Sequence, residues 1–205
     1  MPSDQANRSI EFFDTQFRRQ AAAGEYALNP FEQAVLPYLA GDTLDLGCGL
    51  GNLAMAAAAR GCRVTALDAS EAAVEDLARR AGAAGVPVTA LRADLRAYAP
   101  GQAFDSVAAI GLAMFFRCAD ARALVDNIRA AVRPGGVAAV NVLIEGTTFL
   151  GMFTPDDYYL FGGQEIESAF AGWAVEYLKY DEFPAPGDTV KRFCTLVARR
   201  PSATP

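Results

Sequence analysis

The stretch LDLGCGLGN, which runs from Leu44 to Asn52, decides the fold of this chain. The residues Thr43–Leu46 are apolar apart from one carboxylate, which predicts a short buried strand. Three alternating glycines then turn the chain, and an alanine-rich run from Asn52 onward predicts a helix. A strand, a glycine turn and a helix in this order place backbone N–H groups and a positive helix end at the carboxyl edge of a sheet. The stretch therefore predicts an α/β fold with a ligand site at that edge.

The spacing of the glycines indicates which ligand this turn serves. A dinucleotide-binding turn has the pattern G-x-G-x-x-G, which requires a glycine where this chain has Asn52. The chain instead has G-x-G-x-G, beginning two residues after Asp45. This pattern resembles motif I of the class I S-adenosylmethionine-dependent methyltransferases. A tight glycine turn without any ligand gives the same local pattern, so the strands that follow have to decide between the two.

Size and composition favour one domain that binds a small molecule. The chain has 205 residues, of which 52% are apolar and 20% are charged, as expected for a well-packed α/β domain. The net charge of −6 argues against a nucleic-acid partner held through its phosphates. The N-terminus has no secretory signal pattern, and the most apolar stretch, Val107–Phe116, is too short to cross a membrane. The four cysteines lack zinc or CxxC spacing, so we predict free thiols, no metal site and a cytoplasmic location.

The second predicted strand, Cys62–Leu67, ends in a carboxylate that is suited to a ribose. Asp68 follows the motif glycines by about 20 residues, where a doubly wound fold has the acid that holds the ribose diol. A carboxylate accepts hydrogen bonds from two hydroxyls at once, so Asp68 is predicted to bind the cofactor. Helix capping is the alternative role, but Ser70 is the better N-cap for the helix predicted over Glu71–Ala84.

The resemblance to class I methyltransferases implies the remaining contacts with the cofactor, S-adenosyl-L-methionine. After the third predicted strand, Val88–Ala93, the family has an acid that accepts from the adenine amino group and a backbone N–H that faces the ring. In the family, the fourth predicted strand, Phe104–Ile110, is followed by the residue that lies beside the methionine half of the cofactor. Met114, Phe115 and Phe116 follow as candidates for the methyl-transfer pocket, although such side chains more often belong to the core. The cofactor-binding residues implied in this way are Asp45, Gly47, Cys48, Gly49, Gly51, Asn52, Asp68, Ala69, Asp94, Leu95 and Gly111.

The last third of the chain narrows the resemblance. The turn Arg133–Gly136 precedes a fifth predicted strand, Val137–Ile144, and an aromatic loop, YYLF at 158–161, comes later. A short helix, a GW pair and a closing strand with the sequence RFCTLVAR follow. This succession resembles the tellurite-resistance methyltransferases. It implies a Rossmann-like, doubly wound, three-layer α/β/α fold. Its seven-stranded mixed sheet has the order 3-2-1-4-5-7-6, with only the last strand antiparallel.

One departure from the tellurite-resistance pattern concerns the catalytic site. Family members carry a His-Arg pair in the loop before the last strand, predicted here over Asp181–Asp188, and this chain has no histidine. Arg192 matches the arginine of the closing strand. An antiparallel last strand begins at the rim where the parallel strands end, so Arg192 is predicted near the cofactor as a catalytic residue that orients an anion. An ion pair with Glu182 or Asp188 is the alternative role.

The N-terminal residues 1–40 are predicted to form a helical lid or cap on a single domain that spans residues 41–205. A helix over Ser3–Gln20 has Ile10, Phe13 and Phe17 at helical spacing. A second helix, Phe31–Leu39, is interrupted near its proline. The apolar stripe suits a helix that packs permanently on the domain as well as a lid over the cofactor cleft, and both interpretations stay open.

The predicted function is transfer of a methyl group to a small-molecule acceptor. Because the chain lacks histidine, a neutral hydroxyl or amine would need as its base a carboxylate or a tyrosine. The candidates are Glu25, Asp156, Asp157, Tyr26 and Tyr158. An anionic, polarisable acceptor needs no base, so we predict a soft acceptor such as tellurite, a selenium oxyanion or a thiol. The alternatives are a small-molecule O- or N-methyltransferase and a non-enzymatic module that binds S-adenosylmethionine. We expect a monomer or homodimer with no nucleic-acid or membrane partner.

Overall fold

The computed structural model describes residues 8–96, 98, 99 and 101–202, with side chains from residue 12 onward. These ranges contain six α-helices and seven strands, and two short 3-10 helices lie at Leu36–Tyr38 and Ala113–Phe115. The α-helices are α1 (Arg8–Ala23), α2 (Pro30–Val35), α3 (Asn52–Ala59), α4 (Glu71–Ala84), α5 (Cys118–Ala131) and α6 (Glu165–Ala169). The strands are β1 (Asp42–Leu46), β2 (Arg63–Asp68), β3 (Val88–Arg92), β4 (Phe104–Ile110), β5 (Val132–Leu143), β6 (Ala174–Ala185) and β7 (Thr189–Arg199). None of the described helices is both long and apolar enough to cross a membrane.

The strands form one seven-stranded sheet in the order β3-β2-β1-β4-β5-β7-β6. Neighbouring strands from β3 to β5 are parallel, whereas β7 runs antiparallel to both β5 and β6. The predicted sheet order and the single antiparallel strand are therefore confirmed. β7 lies inside the sheet, so its first residues are at the edge where the parallel strands end.

Helices cover both faces of the sheet, which confirms the predicted three layers. On one face, α5 and α6 pack on the sheet through buried residues such as Leu124, Ile128 and Ile166. On the other face, α2, α3 and α4 contribute Val35, Leu53 and Leu77, among others, to a second core. The strands alternate between the two cores, because successive side chains of a strand point to opposite faces.

The N-terminal helices agree with the prediction in kind and differ at their ends. α1 is described from Arg8 and continues through an alanine run to Ala23, three residues beyond the predicted end. Residues 3–7 of the predicted helix and the side chain of Ile10 lie outside the described part. α2 begins at a capping box, in which Asn29 and Glu32 satisfy each other's backbone N–H groups. The predicted interruption near Pro37 is confirmed as a 3-10 turn.

The strand β5 begins earlier than predicted. The residues Arg133–Gly136, predicted as a turn before the strand, belong to β5, which starts at Val132. The register with β4 shifts between Phe104 and Ser106, so this segment is a bulge within the ladder. A glycine pattern at a bulge looks like a turn in sequence, because both need the same backbone freedom.

The loop predicted over Asp181–Asp188 is mostly strand. β6 extends to Ala185, and only residues 186–188 remain as the hairpin turn. In the sequence Pro184 argues against a strand here, because proline cannot donate a backbone hydrogen bond to a neighbouring strand. β6 is however an edge strand, where a proline is tolerated. The ring of Phe183 also packs on Phe193, at 5.9 Å between centroids, which holds the end of β6 against β7.

Candidate active site

A cavity opens at the carboxyl ends of the parallel strands, beneath α1. It encloses about 680 Å³ of empty space, counting its open mouth, which is in the usual range for a small-molecule site. Six of the predicted cofactor-binding residues line it, namely Gly47, Asp68, Ala69, Asp94, Leu95 and Gly111. The other lining residues are Phe13, Phe17, Ser70, Arg96, Leu112, Phe115 and Phe116. The structure thus brings together the loops that follow four different strands, β1 to β4.

The glycine turn is fixed to the neighbouring strand through its backbone. The N–H groups of Gly47 and Cys48 both donate to the carbonyl of Leu67, at 2.8 and 3.0 Å. Gly49 has a φ of 51°, a left-handed conformation that glycine adopts without strain. A Cβ at Gly49 would lie 2.9 Å from the ring of Phe17. Glycine is required at this position because α1 packs directly on the backbone of the turn.

Asp68 lies where the predicted ribose acid should be, and its orientation is fixed. One carboxylate oxygen accepts from the N–H of Gly49 and the other from the N–H of Ser70, each at 2.8 Å. Burial raises the pKa of Asp68, and these backbone hydrogen bonds oppose that rise. A carboxylate has about four acceptor positions, so each oxygen can still accept from a ribose hydroxyl. The predicted role in ribose binding therefore remains chemically sound.

Asp94, predicted to face the adenine amino group, is held by a neighbour that sequence reasoning missed. Arg96 donates to its two oxygens at 3.0 and 2.6 Å, and this pairing holds the pKa of Asp94 below its usual value. Arg96 also lines the cavity, beside the buried Leu95. In the sequence Asp94 and Arg96 are two residues apart, just after β3. This spacing alone does not distinguish an ion pair from two separately solvated charges.

Asp45 is a buried carboxylate with an oxygen that has no partner. The residue is only 3% exposed, and its Oδ2 atom has no hydrogen-bond donor within the described part of the chain. Burial, together with the charges of Glu32 and Asp68, raises the pKa of Asp45 to about 8. An acceptor left bare beside the glycine turn is costly unless a ligand supplies a donor. The position thus suits a ligand group with N–H donors and positive charge.

The helix α1 forms the roof of the cavity. Phe13 and Phe17 line it from above, with their rings 5.8 Å apart. Asp14, between them, accepts a hydrogen bond of 2.6 Å from the hydroxyl of Ser70. Phe13 and Phe17 of the predicted apolar stripe are thus turned toward the cavity.

A line of aromatic rings joins α1 to the loop after β5. Phe13 meets Phe115 edge-on at 5.0 Å, and Phe115 lies 5.2 Å from Phe153. Phe153 in turn stacks on Tyr158 at 4.7 Å. Of the three residues predicted for the methyl-transfer pocket, Phe115 and Phe116 line the cavity, whereas Met114 is buried in the core. The part played by Phe153 was missed, because it depends on contacts between segments about 40 residues apart in the chain.

The other predicted cofactor-binding residues lie in or next to the glycine turn and do not line the cavity. Gly51 is the N-cap of α3 in a left-handed conformation, with a φ of 69°. Asn52 donates from its side chain to the carbonyl of Ala27, at 3.2 Å. Burial raises the pKa of the Cys48 thiol, so this side chain is neutral. These residues shape the glycine turn without lining the cavity.

Arg192 forms the ion pair that the sequence left open as an alternative. Its Nε atom lies 2.6 Å from a carboxylate oxygen of Glu182, the residue opposite it in the ladder between β6 and β7. Both side chains are half-exposed, and neither lines the cavity. The structure therefore does not place Arg192 beside the cavity in this conformation, and its predicted catalytic role stays untested.

The candidate bases do not line the cavity either. The hydroxyl of Tyr26 contacts Asp76 of α4 at 3.3 Å. Asp157 pairs with Arg117 at 3.2 Å. Tyr158 is the one candidate in contact with the aromatic line. Glu25 and Asp156 are exposed.

The sequence of the central strands decides the family. Residues 43–136 match a family model described as a methyltransferase domain. The chain contains a class I S-adenosylmethionine-dependent methyltransferase domain. The matched residues run from β1 into the bulge of β5 and so include the glycine turn, Asp68 and Asp94. The helices α1 and α2 and the hairpin of β6 and β7 lie outside the match.

Two curated relatives are longer than the segment over which they match this chain. The chain is 29% identical to Hemagglutinin 1 of Eikenella corrodens over 167 residues. This alignment covers 78% of the present chain and 54% of Hemagglutinin 1. It is 40% identical over 101 residues to the ubiquinone biosynthesis O-methyltransferase of Methylobacterium sp. (strain 4-46). That alignment covers 48% of the present chain and 40% of the O-methyltransferase. The chain therefore spans about half the length of the curated relatives it matches.

Solved structures share the fold over most of the chain. TehB from Haemophilus influenzae has a TM-score of 0.74 and 16% identity, over 88% of this chain and 65% of that one. The N-methyltransferase NodS from Bradyrhizobium japonicum WM9, in complex with S-adenosyl-L-homocysteine, has a TM-score of 0.69 and 15% identity. That match covers 93% of this chain and 99% of NodS. At these identities the likeness concerns the fold alone.

S-adenosylmethionine is the cofactor of this domain, and the residues around the cavity fit its parts. Asp68 has acceptor positions left for the ribose, and the bare oxygen of Asp45 suits the ammonium of the methionine moiety. The aromatic side chains of Phe115 and Phe116 suit an adjoining apolar or cationic group.

Proposed function

We propose that this protein methylates a small acceptor that binds against Phe13, Phe115 and Phe116. The methylated group is a soft nucleophile, and a thiol is the main candidate. The observation that carries the proposal is the lack of a free base among the residues that line the cavity. Its two carboxylates are Asp68, held by two backbone N–H groups, and Asp94, paired with Arg96. An acceptor that ionises by itself near neutral pH needs no base from the protein.

The pocket contributes to the reaction through position and exclusion of water. The bound cofactor supplies a methyl group on a positively charged sulfur, and the acceptor forms a bond to that carbon as the carbon–sulfur bond breaks. The electron pair of the broken bond stays on the sulfur, so no proton has to move if the acceptor is an anion. Phe13, Phe115 and Phe116 limit where the nucleophile can lie and keep water out.

An organic thiol fits this pocket better than an oxyanion does. The cavity has one cationic side chain, Arg96, and it is already paired with Asp94. Arg192, the predicted partner of an anion, is paired with Glu182. The resemblance of the C-terminal third to the tellurite-resistance methyltransferases supports tellurite or selenite as further acceptors. With those acceptors Arg192 would have to leave Glu182 to orient the anion.

A second candidate is O-methyl transfer to a phenol. It is favoured by the 40% identity, over 101 residues, to the ubiquinone biosynthesis O-methyltransferase. Tyr158 would be the base, since it stacks on Phe153 at the end of the aromatic line. This candidate predicts that replacing Tyr158 by phenylalanine removes activity on phenols.

We also propose that residues 1–40 act as a cap on a domain formed by residues 41–205. The support is the position of α1, whose Phe13 and Phe17 line the cavity and whose Asp14 contacts Ser70. A cap of this kind would have to open for the cofactor and the acceptor to enter.

The experiment that tests the proposed function uses S-adenosylmethionine with a labelled methyl group. The purified protein is incubated with separate panels of thiols, tellurite and selenite, phenols, and amines. We expect labelled product from thiols at rates well above those from amines. Turnover on phenols alone would overturn the thiol proposal in favour of the second candidate. Binding of the cofactor without turnover on any panel would favour the non-enzymatic module.

A further inference from the structure

Three polar side chains outside the cavity form a closed hydrogen-bonded cluster. Arg122 of α5 donates from Nε to one carboxylate oxygen of Glu165 at 2.7 Å, and from a terminal nitrogen to the hydroxyl of Tyr159 at 2.9 Å. The hydroxyl of Tyr159 in turn donates to the other oxygen of Glu165 at 2.8 Å. Each member thus contacts the other two. The cluster joins α5, the first residue of α6 and the loop between β5 and α6.

Additional contacts fix the orientation of Tyr159 within this cluster. The guanidinium of Arg122 lies 5.4 Å from the centroid of the Tyr159 ring, and Glu165 also accepts from the N–H of Gly162 at 3.0 Å. Burial and the hydrogen bond to Glu165 raise the pKa of Tyr159 to about 12, so the hydroxyl keeps the proton that it donates. A connected network of this kind holds its members more firmly than an isolated surface ion pair does.

The backbone of Tyr159 connects the cluster to the wall of the cavity. Its N–H donates to the carbonyl of Met114 at 3.0 Å. Met114 lies in the 3-10 helix Ala113–Phe115, whose last residue lines the cavity. A displacement of Tyr159 therefore acts directly on the segment that carries Phe115.

The neighbour of Tyr159 provides a second connection to the same wall. Tyr158 lies between Tyr159 and Asp157, and Asp157 pairs with Arg117 at the start of α5, at 3.2 Å. The ring of Tyr158 stacks on Phe153 at 4.7 Å, within the aromatic line that ends at the cavity. The loop after β5 is thus held to α5 on both sides of the residue that stacks on the aromatic line.

We propose that Arg122 and Glu165 are positioning residues for the acceptor, which hold Tyr159 and thereby keep the Phe115 wall in its binding conformation. This inference rests on the proposed function, which puts the acceptor against that wall. Neither residue lines the cavity, so both act through the wall and not on the reacting atoms. A wall that is already ordered binds more tightly, because the cost of ordering it is not subtracted from the binding free energy. Tyr159 and Glu165 also lie outside the matched residues 43–136.

The test compares wild type, Arg122→Ala and Arg122→Lys with thiophenol as the acceptor, because this aromatic thiol ionises near neutral pH. We expect Arg122→Ala to raise the KM for thiophenol about fivefold with kcat within about twofold of wild type, as for lost acceptor binding. Lysine should restore only part of this loss, since one ammonium cannot reproduce the two directed bonds of the guanidinium. Calorimetric affinity for S-adenosylhomocysteine should equal that of wild type in both variants.

Hydrogen exchange of the backbone over residues 145–164 provides a readout that does not depend on turnover. With S-adenosylhomocysteine bound, we expect faster exchange in this segment for Arg122→Ala than for wild type, because the loop opens locally more often. Tyr159→Phe removes the hydroxyl but keeps the ring that packs on Phe161 at 4.8 Å. It should raise exchange and the thiophenol KM in the same direction.

Arg129→Ala is the matched control, because Arg129 lies on the same helix and pairs with Asp126 of that helix at 3.2 Å. It should have the KM and the exchange rates of wild type. An unchanged thiophenol KM in Arg122→Ala would overturn the inference, and so would an equal loss of affinity for S-adenosylhomocysteine, which indicates a general structural effect. If the wild type methylates no acceptor, the proposed function fails. In that case exchange over residues 145–164 decides the inference separately, and rates equal to those of wild type overturn it.

Discussion

The hydroxyl of Ser70 donates a hydrogen bond of 2.6 Å to the carboxylate of Asp14. This bond joins the N-terminal helix α1 to the N-cap of α4, next to Asp68 at the edge of the cavity. Ser70 at the same time caps α4 by accepting from the N–H of Ala73. Any movement of α1 away from the cavity has to break the contact between Ser70 and Asp14.

Replacing Asp14 by alanine should weaken the closure of α1. The bond is charge-assisted and part-buried, so its loss should increase the dissociation rate of S-adenosylhomocysteine by roughly tenfold. A stopped-flow chase with unlabelled ligand measures this rate. Arg18→Ala is the control, because it removes the other partner of Asp14, an exposed ion pair at 2.8 Å, which contributes little. Equal dissociation rates in Asp14→Ala and wild type would show that α1 is not a barrier to release.

Replacing Asp45 by asparagine should change how stability depends on pH. The folded-state pKa of about 8 lies above the ordinary value of 3.8, so the folded protein binds the extra proton between these two values. Wild type should therefore lose stability as pH rises from about 5 to 8, by up to about 1.4 kcal/mol per pH unit from this group. Asparagine does not titrate and has nearly the same shape.

Unfolding in urea at pH 5, 6.5 and 8 would reveal the effect of Asp45→Asn. We expect the variant to lose less stability than wild type over this range and to be the more stable protein at pH 8. Its affinity for S-adenosylhomocysteine should nevertheless fall, because the ammonium loses an anionic partner. Parallel stability profiles for the two proteins would mean that the Asp45 carboxyl titrates normally.

Replacing Asp68 by alanine should weaken cofactor binding on the order of 10- to 100-fold, as expected for lost charge-assisted hydrogen bonds. Part of this loss comes from the backbone, because Asp68 also accepts from the N–H groups of Gly49 and Ser70. Asp68→Asn keeps one acceptor oxygen and should give an intermediate affinity. Calorimetric titration with S-adenosylhomocysteine provides the comparison. An affinity like that of wild type in Asp68→Ala would place the ribose elsewhere.

The effect of replacing Arg192 should depend on the acceptor. As a half-exposed partner of Glu182, Arg192 should contribute less than about 1 kcal/mol to stability, and Arg192→Ala should leave cofactor affinity unchanged. With a thiol acceptor its turnover should stay within about twofold of wild type. With tellurite it should fall, whereas Glu182→Gln, which frees the guanidinium, should not reduce turnover. A large loss of thiol methylation with intact cofactor binding would establish Arg192 as catalytic for that acceptor.

The central fold was predictable because its signals are local. The glycine turn after Leu44–Leu46, the helix Glu71–Ala84 and the strand Phe104–Ile110 each follow from periodicity, caps and turn residues, and they have the predicted bounds in the structure. Prediction was wrong where tertiary contacts override a local signal. Pro184 lies in an edge strand that pairs with β7, and the glycines after Arg133 lie in a bulge of β5.

The functional roles of side chains were harder to predict than their positions on the sheet edge. Asp68 could be placed because the doubly wound fold fixes its strand end. Arg96 is distinguished by a side-chain conformation that reaches Asp94, which the sequence does not contain. Arg192 was placed on the correct strand and at the correct rim, but its ladder partner Glu182 holds its side chain.

The aromatic line offers the most direct test of where the acceptor binds. Phe115 lines the cavity and contacts both Phe13 of α1 and Phe153 of the loop after β5. Replacing it by leucine keeps the site apolar but removes the flat surface and both ring contacts, each worth about 1 kcal/mol. We expect Phe115→Leu to raise the KM for the acceptor about fivefold or more and to leave the affinity for S-adenosylhomocysteine within about twofold of wild type.

Phe12→Leu is the matched control for Phe115→Leu. Phe12 is 51% exposed and touches Phe13 at 5.3 Å, but it does not line the cavity. Both variants lose a ring that packs on Phe13, and only one loses cavity wall. An increase in acceptor KM for Phe115→Leu alone would assign the acceptor to this wall. If both variants raised the KM equally, the effect would come from a loosened α1, and the acceptor would have to bind elsewhere along the sheet edge.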